Sequence, residues 1–373
     1  MLSTYRNISK DCDYIPWERL RDADVLVTGA SGLIASGVVE GLLAASSEMS
    51  LGTRVWALCR NRNKAKERFR DALTGEEASE QGGLRLLIGD VCDPVDSWEG
   101  ARAIAAEGAP AHFDYVIHAA SSAHPAAFNK TPVDVMRANL VGTMNLLERL
   151  RTQEGAPRFL YVSSSEVYGE NSEGTDVYTE DMPGTVDFAR FRACYPESKR
   201  ASETMCFSYK QQYGSDVVIV RPAFVYGREI IDSNARADVS FMRSALAGED
   251  IVMYSAGAQQ RSYCYITDCV KGILTALLKG ESGGVYNIGD PSCVVSLHDY
   301  AQCMADAAGV RLVVDADAAP SGTVFLKTTR MVLSTDRLQA LGWRPEVTLE
   351  QGMADIFQKD TKGARAISTE GAR

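Results

Sequence analysis

Tyr195 and Lys199 stand four residues apart in the segment YPESK, a spacing that puts a phenol and an ammonium on one face of a helix. Pro196 takes a first-turn position, where a helix tolerates it. A nearby cation favours the phenolate, so the pair suits removal of a proton from a hydroxyl while hydride leaves for an acceptor. The chain has 15 tyrosines, and such pairs arise by chance, so position has to carry the argument. The cluster Ser163-Ser164-Ser165-Glu166 closes a strand-like run, at the carboxyl edge where open α/β sheets bind ligands. Ser164 is placed to hydrogen-bond a reacting hydroxyl, whereas Ser163 reads as a cap of the loop. Glu166 is the most informative of the four. A simple alcohol oxidation needs no carboxylate there. An enzyme that first makes a ketone can use one, because the ketone acidifies the neighbouring C–H and a base must remove that proton.

Hydride needs an acceptor, and the first third of the chain supplies a place for one. Gly29-Ala30-Ser31-Gly32-Leu33-Ile34-Ala35 follows the apolar run Val25 to Val27 and opens a helical pattern that continues to Ala45. Glycines between a buried strand and a helix permit a tight turn and the close approach of backbone N–H groups to a pyrophosphate. The bland alternative is a glycine-rich turn closing an ordinary βα unit. The second strand-like run ends Leu58-Cys59-Arg60-Asn61, without the acid that usually binds the ribose 2′-hydroxyl of NAD. Arg60 either pairs with a 2′-phosphate, favouring NADP, or is a solvated charge leading a helix.

The elements that must hold these residues alternate. Strand-like runs VLV, RVWALC, LRLLIGD, FDYVIHAA, RFLYVSSS and DVVIVRPA are separated by helical stretches at 33–45, 63–73, 133–151 and 198–213. This rhythm predicts an α/β fold, a doubly wound parallel sheet of Rossmann type, with a smaller C-terminal α/β substrate lobe. The expected division is an N-terminal extension over 1–23, a dinucleotide-binding domain over 24–227 with 260–280 returning to it, a mainly substrate-binding lobe over 228–358, and a loose tail over 359–373. Within the lobe, YITDCVKGILTALLKG and 297–308 read as helices.

Composition narrows the function classes. The 373 residues carry 49 acidic and 39 basic side chains, a net charge of −10, with no basic stripe, which argues against a nucleic-acid partner. No run approaches the roughly 20 apolar residues of a membrane span, and the N-terminus lacks the apolar core of a signal peptide, so the chain reads as cytoplasmic. Nine cysteines without a Cys-x-x-Cys pair, and four histidines without ligand spacing, predict neither a disulfide framework nor a metal site.

The stretches SSSEVYGE (163–170), RACYPESKRASETMCFSYKQQYG (192–214) and QQRSYCYITDCVKG (259–272) resemble the extended short-chain dehydrogenase/reductases of the NAD-dependent epimerase/dehydratase family, most nearly their UDP-glucuronate decarboxylase branch. The resemblance covers about residues 24–355. It implies a tightly held NAD that is reduced and reoxidised within one turnover, with Ser164, Glu166, Tyr195, Lys199 and Arg261 in active-site roles. It also implies Asp90-Val91 near adenine, Ala119-Ala120 lining the cofactor, and a homodimer through the helices at 133–151 and 198–213. Ser165 stands as in the decarboxylases, where 4,6-dehydratases place an acid. One loop departs: RPAFVYGREI has Phe224 where relatives carry the Asn that helps hold a diphosphate, and Arg228 where they carry Pro. The expected activity is a redox-neutral lyase, dehydratase or decarboxylase, acting on the sugar of a nucleotide-sugar or nucleoside through a transient ketone. An epimerase using the same ketone, an NADPH-dependent ketone reductase and a non-catalytic dinucleotide sensor are the alternatives.

Overall fold

The computed structural model describes residue 5 and residues 7–74, 83–101, 112–169, 177–228, 236–317 and 330–357; the expected tail at 359–373 lies outside them. In chain order its strands are β1 (Asp24–Thr28), β2 (Arg54–Cys59), β3 (Gly83–Ile88), β4 (Tyr115–His118), β5 (Arg158–Val162), β6 (Asp216–Pro222) and β7 (Phe224–Tyr226). There follow β8 (Ile251–Met253), β9 (Gln260–Tyr265), β10 (Val285–Ile288), β11 (Val294–Ser296), β12 (Leu312–Val314) and β13 (Arg330–Met331). The helices are α1 (Ile8–Asp11), α2 (Leu33–Met49), α3 (Arg62–Arg68), α4 (Arg70–Thr74), α5 (Pro125–Lys130) and α6 (Pro132–Arg151). After these come α7 (Cys194–Tyr213), α8 (Ala237–Leu246), α9 (Ile266–Lys279), α10 (Leu297–Ala308), α11 (Asp336–Ala340) and α12 (Leu349–Phe357).

The main sheet runs β3-β2-β1-β4-β5-β6-β10, every pair parallel. Its strands are mainly apolar in their middles because both faces are covered. Val25 and Val27 of β1 face the side packed by α2 and α9, whereas Leu26 between them faces the side packed by α6 and α7. Helix α2 approaches α9 closely at Gly41, where a Cβ would stand 2.9 Å from Val270 Cγ1. Strand order reverses between β1 and β4, and such a reversal opens a crevice at the carboxyl ends of the two strands.

A second sheet is centred on β9, with β7 and β13 parallel to it and β11 antiparallel; β8 and β12 form a separate parallel pair. Helices α8, α10 and α12 pack here, and their buried residues Phe241, Met242, Tyr300, Met304 and Met353 belong to the same apolar cluster as α2 and α9. The polar-looking N-terminus joins it too, through Ile8, Cys12, Ile15, Trp17 and Leu20.

Three local expectations need correction. The single helix read over 63–73 is two short helices, α3 and α4, parted at Phe69, which is buried in the core and whose φ of −109° and ψ of 23° leave the helical range. Strand β10 falls inside the segment assigned to the smaller lobe, yet it completes the main sheet, since its four consecutive buried residues need cover on both faces. Of residues 260–280, β9 belongs to the second sheet, and only α9 packs on the body. No helix among the described residues is long and apolar enough to cross a membrane.

Candidate active site

The crevice between β1 and β4 is lined by the glycine loop. Gly29 has φ +65°, and a Cβ there would sit 2.7 Å from Ala120 Cα and 3.0 Å from the Ala119 carbonyl oxygen. Only glycine lets the two strand ends come this close. The Ala30 N–H donates to the Leu58 carbonyl (3.1 Å) and the Gly32 N–H to the Gly29 carbonyl (2.9 Å), so the loop is held before α2 begins. Ser31 is exposed at the rim beside the Cys59 thiol, Leu33 and Ile34 are half-buried in the first turn, and Ala35 is buried. A loop with glycine at 29 and 32, opening onto the N-terminus of a 17-residue helix, fits a dinucleotide pyrophosphate.

Asp90 is half-buried after β3. Its carboxylate accepts from the Cys92 N–H (2.9 Å) and its carbonyl from Trp98 Nε1 (2.9 Å), while Val91 is buried against Gly142 of α6. Arg60 is exposed at the end of β2. Beside it, Asn61 caps α3 by accepting from the Lys64 N–H (3.0 Å), and Arg62 pairs with Glu99.

The cluster of Ser164, Glu166, Tyr195 and Lys199 lies at the carboxyl end of β5. Ser164 Oγ accepts from the Glu166 N–H (3.2 Å), starting a tight turn over Ser165–Tyr168, and Ser163 and Ser165 are buried on either side. Tyr195 sits in the first turn of α7, 5% exposed, with Ser164 close enough to lower its phenol. Helix α7 is held against α6 by a buried chain: Asn139 Nδ2 donates to Ser198 Oγ (2.8 Å), which donates to the Tyr195 carbonyl (3.0 Å), and Ser202 Oγ donates to the Asn139 carbonyl (2.9 Å). One turn on, the buried Lys199 ammonium donates to the Val162 carbonyl (2.7 Å), 4.7 Å from the Tyr161 ring centroid and 5.9 Å from that of Tyr195.

Lys199 and the positive ring of a bound nicotinamide are together expected to favour the Tyr195 phenolate. Within the protein the phenol is pushed up, first by burial and then by the Glu166 carboxylate; Ser164, Arg236 and Arg192 pull the other way. The Lys199 ammonium is engaged by the strand end, and burial brings it down to about 7, opposed by Glu203 and Cys206.

Four more residues belong here that sequence reading missed. Phe128 of α5 stacks on Tyr195 (4.8 Å between centroids, 25°). Arg192 lies over the other partner's ring, 4.4 Å from the Phe128 centroid, and donates to Glu166 Oε2 (3.2 Å). Three residues before Tyr195, at the entry to its helix, Arg192 was within reach of the motif; no sequence signal marks Phe128. His118 ends β4 with Nδ1 2.8 Å from Thr28 Oγ1, which also accepts from the Ala120 N–H (3.2 Å). Burial and the nearby Lys199 charge push His118 down to about 3, so it is neutral. Arg236, bonded to Asp238, brings its guanidinium 5.7 Å from the Phe224 centroid.

Phe224 opens β7 opposite Tyr263 of β9, and Arg261, two residues before Tyr263, lies over the Phe224 ring at 4.2 Å. Arg261 is 7% exposed and electrostatically coupled to Glu166, Asp238 and Arg236, yet among the described residues it makes no hydrogen bond or ion pair. The site therefore brings Ser164, Glu166, Tyr195 and Lys199 together at one strand end and sets Arg261 and Phe224 on the second sheet facing them.

Residues 25–289 match the model of the NAD dependent epimerase/dehydratase family. Among curated relatives, a UDP-glucuronic acid decarboxylase of Danio rerio is 28% identical over 352 residues, covering 92% of this chain and 75% of the relative. One of Arabidopsis thaliana is 31% identical over 243 residues, 64% of this chain and 67% of the relative. Among solved structures, the dTDP-glucose 4,6-dehydratase of Streptomyces venezuelae, determined with NAD, is 26% identical with a TM-score of 0.68, over 90% of this chain and 95% of that one. A UDP-glucuronic acid 4-epimerase of Bacillus cereus shares the fold at 20% identity, with a TM-score of 0.71 over 90% of this chain and 98% of that one. The chain belongs to the NAD dependent epimerase/dehydratase family.

Proposed function

We propose that the chain is a redox-neutral, NAD-dependent lyase that decarboxylates the uronate sugar of a nucleotide-sugar. The observation that carries this reading is the buried Arg261 guanidinium facing the Ser164–Glu166–Tyr195 cluster with no hydrogen bond or ion pair among the described residues, because a buried cation with donors to spare favours an anionic substrate. The UDP-glucuronic acid decarboxylase relatives support it.

The cofactor would be held by Gly29, Ser31, Gly32, Leu33 and Ile34 at the α2 N-terminus, by Asp90 and Val91 at the adenine end, and by Ala119 and Ala120 beside the nicotinamide. NAD, when bound, supplies a hydride acceptor and a positive charge near Tyr195. The chain's own groups manage the proton. Tyr195 takes the hydroxyl proton of the sugar, Ser164 hydrogen-bonds the same oxygen, and Lys199 holds the cofactor ribose and a positive field below the phenol. A ketone formed one carbon from the carboxylate-bearing carbon makes a β-keto acid. The C–C bond to carbon dioxide can then break, with its electron pair passing to the carbonyl oxygen as an enolate. A solvent-derived proton delivered to the carbon that lost the carboxylate restores the ketone, and the turnover closes redox-neutral when the hydride goes back to the carbonyl carbon and Tyr195 returns its proton to the oxygen. Glu166 is the group for proton traffic at the neighbouring carbon, and Arg192 keeps it aimed there. Ser165 carries no acid to expel a hydroxyl, which disfavours dehydration.

The two-lobe division assigned from sequence accompanies this reading, the sheet around β9 serving the substrate. A homodimer through α6 and α7 does so as well, supported by the exposed Val133, Met136 and Met144 on one helix and Phe207 and Tyr213 on the other. A cytoplasmic location is supported by nine unpaired cysteines. The test is incubation of purified protein with UDP-glucuronate and no added cofactor, read by mass. Loss of carbon dioxide without net change in nicotinamide absorbance is expected. An unchanged substrate mass with an inverted centre would make the protein an epimerase, and loss of water a dehydratase.

A further inference from the structure

We propose that Phe224 is a specificity-determining positioning residue: its ring is the shelf that holds the Arg261 guanidinium, whose N–H donors bond to none of the described residues, where an anionic group of the substrate must bind. The inference rests on the nucleotide-sugar reading and deepens it. Arg261 stands on β9, and β9 is fixed in register against β7 by the Phe224–Tyr263 and Val225–Cys264 pairs. Phe224 therefore projects from a strand end that the sheet already holds still. Its ring meets Arg261 at 4.2 Å and Arg236 at 5.7 Å, and it packs on Tyr263 at 5.9 Å between centroids. Tyr263 in turn stacks on the fully buried Tyr300 at 4.0 Å and 12°, so the shelf has a rigid support.

The two cations against this ring are treated differently. Arg236 spends its donors on Asp238. Arg261 also feels that aspartate's charge but makes no hydrogen bond to it or to any other described residue, though it is more than nine-tenths buried. A guanidinium laid on a ring keeps its edge, with five donors in a planar fork, open for a bidentate anion. An aliphatic side chain at 224 would leave the long Arg261 side chain mobile, and an amide would occupy one of its donors. Phe224 does neither. The anion's chemistry is a planar or tetrahedral oxyanion, which a nucleotide-sugar can offer either as its sugar carboxylate or as its diphosphate.

Three probes separate these sources by calorimetric titration: UDP, UDP-glucose and UDP-glucuronate, with wild type, Phe224→Leu and Phe224→Tyr. The expected result is that Phe224→Leu weakens binding by about five- to thirty-fold, the range of a desolvated cation–π contact, and that Phe224→Tyr restores it. Weakening confined to UDP-glucuronate identifies the sugar carboxylate, and equal weakening of all three identifies the diphosphate. Either pattern supports the proposal. Wild-type affinity in Phe224→Leu for all three probes overturns it while leaving the function intact. Equal losses in Leu and Tyr variants, accompanied by a lowered unfolding midpoint, also overturn it by showing that the ring only fills space. Failure of the wild-type protein to bind any probe overturns the nucleotide-sugar reading and this inference together.

Discussion

Arg221 and Arg261 are both buried, at 9% and 7% exposure, and both begin or end strands near the same cleft, yet the molecule treats them in opposite ways. Arg221, on β6, donates to both carboxylate oxygens of Glu203 (2.9 and 2.6 Å), to the Tyr168 hydroxyl (2.9 Å) and to the Glu180 carbonyl (3.0 Å). That network continues through Asn287, whose side chain accepts from Tyr168 (2.8 Å) and donates to the Tyr178 carbonyl (3.1 Å), tying β10 to the loop before α7. Arg261, on β9, makes no hydrogen bond or ion pair among the described residues and lies against the face of Phe224. Burial alone thus does not separate a cation saturated by the fold from one whose donors no described residue takes up; the hydrogen-bond partners do.

The largest expected effect breaks the saturated side of this comparison. Arg221→Leu strands the Glu203 carboxylate in the interior and should cost about 3–5 kcal/mol, read as a lowered urea midpoint. The matched Arg261→Leu variant should unfold at or above the wild-type midpoint, because it removes a buried charge that has no partner to orphan. Its product formation should fall about a hundred-fold, the scale of losing one member of a desolvated charge pair. If Arg261→Leu unfolds the protein instead, the contrast is wrong.

Tyr195→Phe sharpens the contrast from the catalytic side. It should keep the fold and lower kcat by roughly 10²- to 10⁴-fold, since only the proton carrier is lost. A smaller effect concerns a buried group that avoids charge altogether. His118 is held near 3, so below its ordinary value of 6.5 the unfolded chain takes up a proton that the folded chain refuses. Its contribution to stability is present above pH 6.5 and is lost as pH falls toward 3, by about 3 kcal/mol at pH 4. Asp268 works in the opposite sense. Burial pushes it up to about 6, so its contribution is present in acid and is lost as pH rises through 6. The His118→Asn variant separates the two: its acid limb should be flatter than wild type in pH-dependent denaturant titrations. The smallest effect lies at the surface, where Arg311 pairs with Asp250 in full contact with solvent. Arg311→Ala should leave the unfolding midpoint where it is.

Much of the frame was legible because its signals are local. A continuous apolar run must be a strand covered on both sides, a glycine between strand and helix must be a close approach, and a Tyr–Lys spacing of four must share a helical face. The helix over 297–308 was read to the residue for this reason: Ser296 caps it by accepting from the Asp299 N–H (3.0 Å), and Gly309 at φ +71° ends it. What stayed hidden was non-local. Phe69 breaks a charged helix because its ring has a core to enter, and β10 joins the main sheet across an intervening lobe. Arg192 and Phe128 come from separate elements and meet only around Tyr195. How deeply the Tyr195 phenol is buried and how near Glu166 lies, which together push it up in the chain alone, are non-local in the same way.

The sequence by itself determined the alternating βα order, the glycine cradle and the Ser164, Glu166, Tyr195 and Lys199 set, since each follows from spacing along a regular element. Only the tertiary structure decided which charges are spent and which are free. Arg221 and Arg261 are one residue type in similarly apolar surroundings, and nothing in their neighbouring letters separates them. The distinction arises when distant segments close around each guanidinium, supplying four acceptors to one and a single aromatic face to the other.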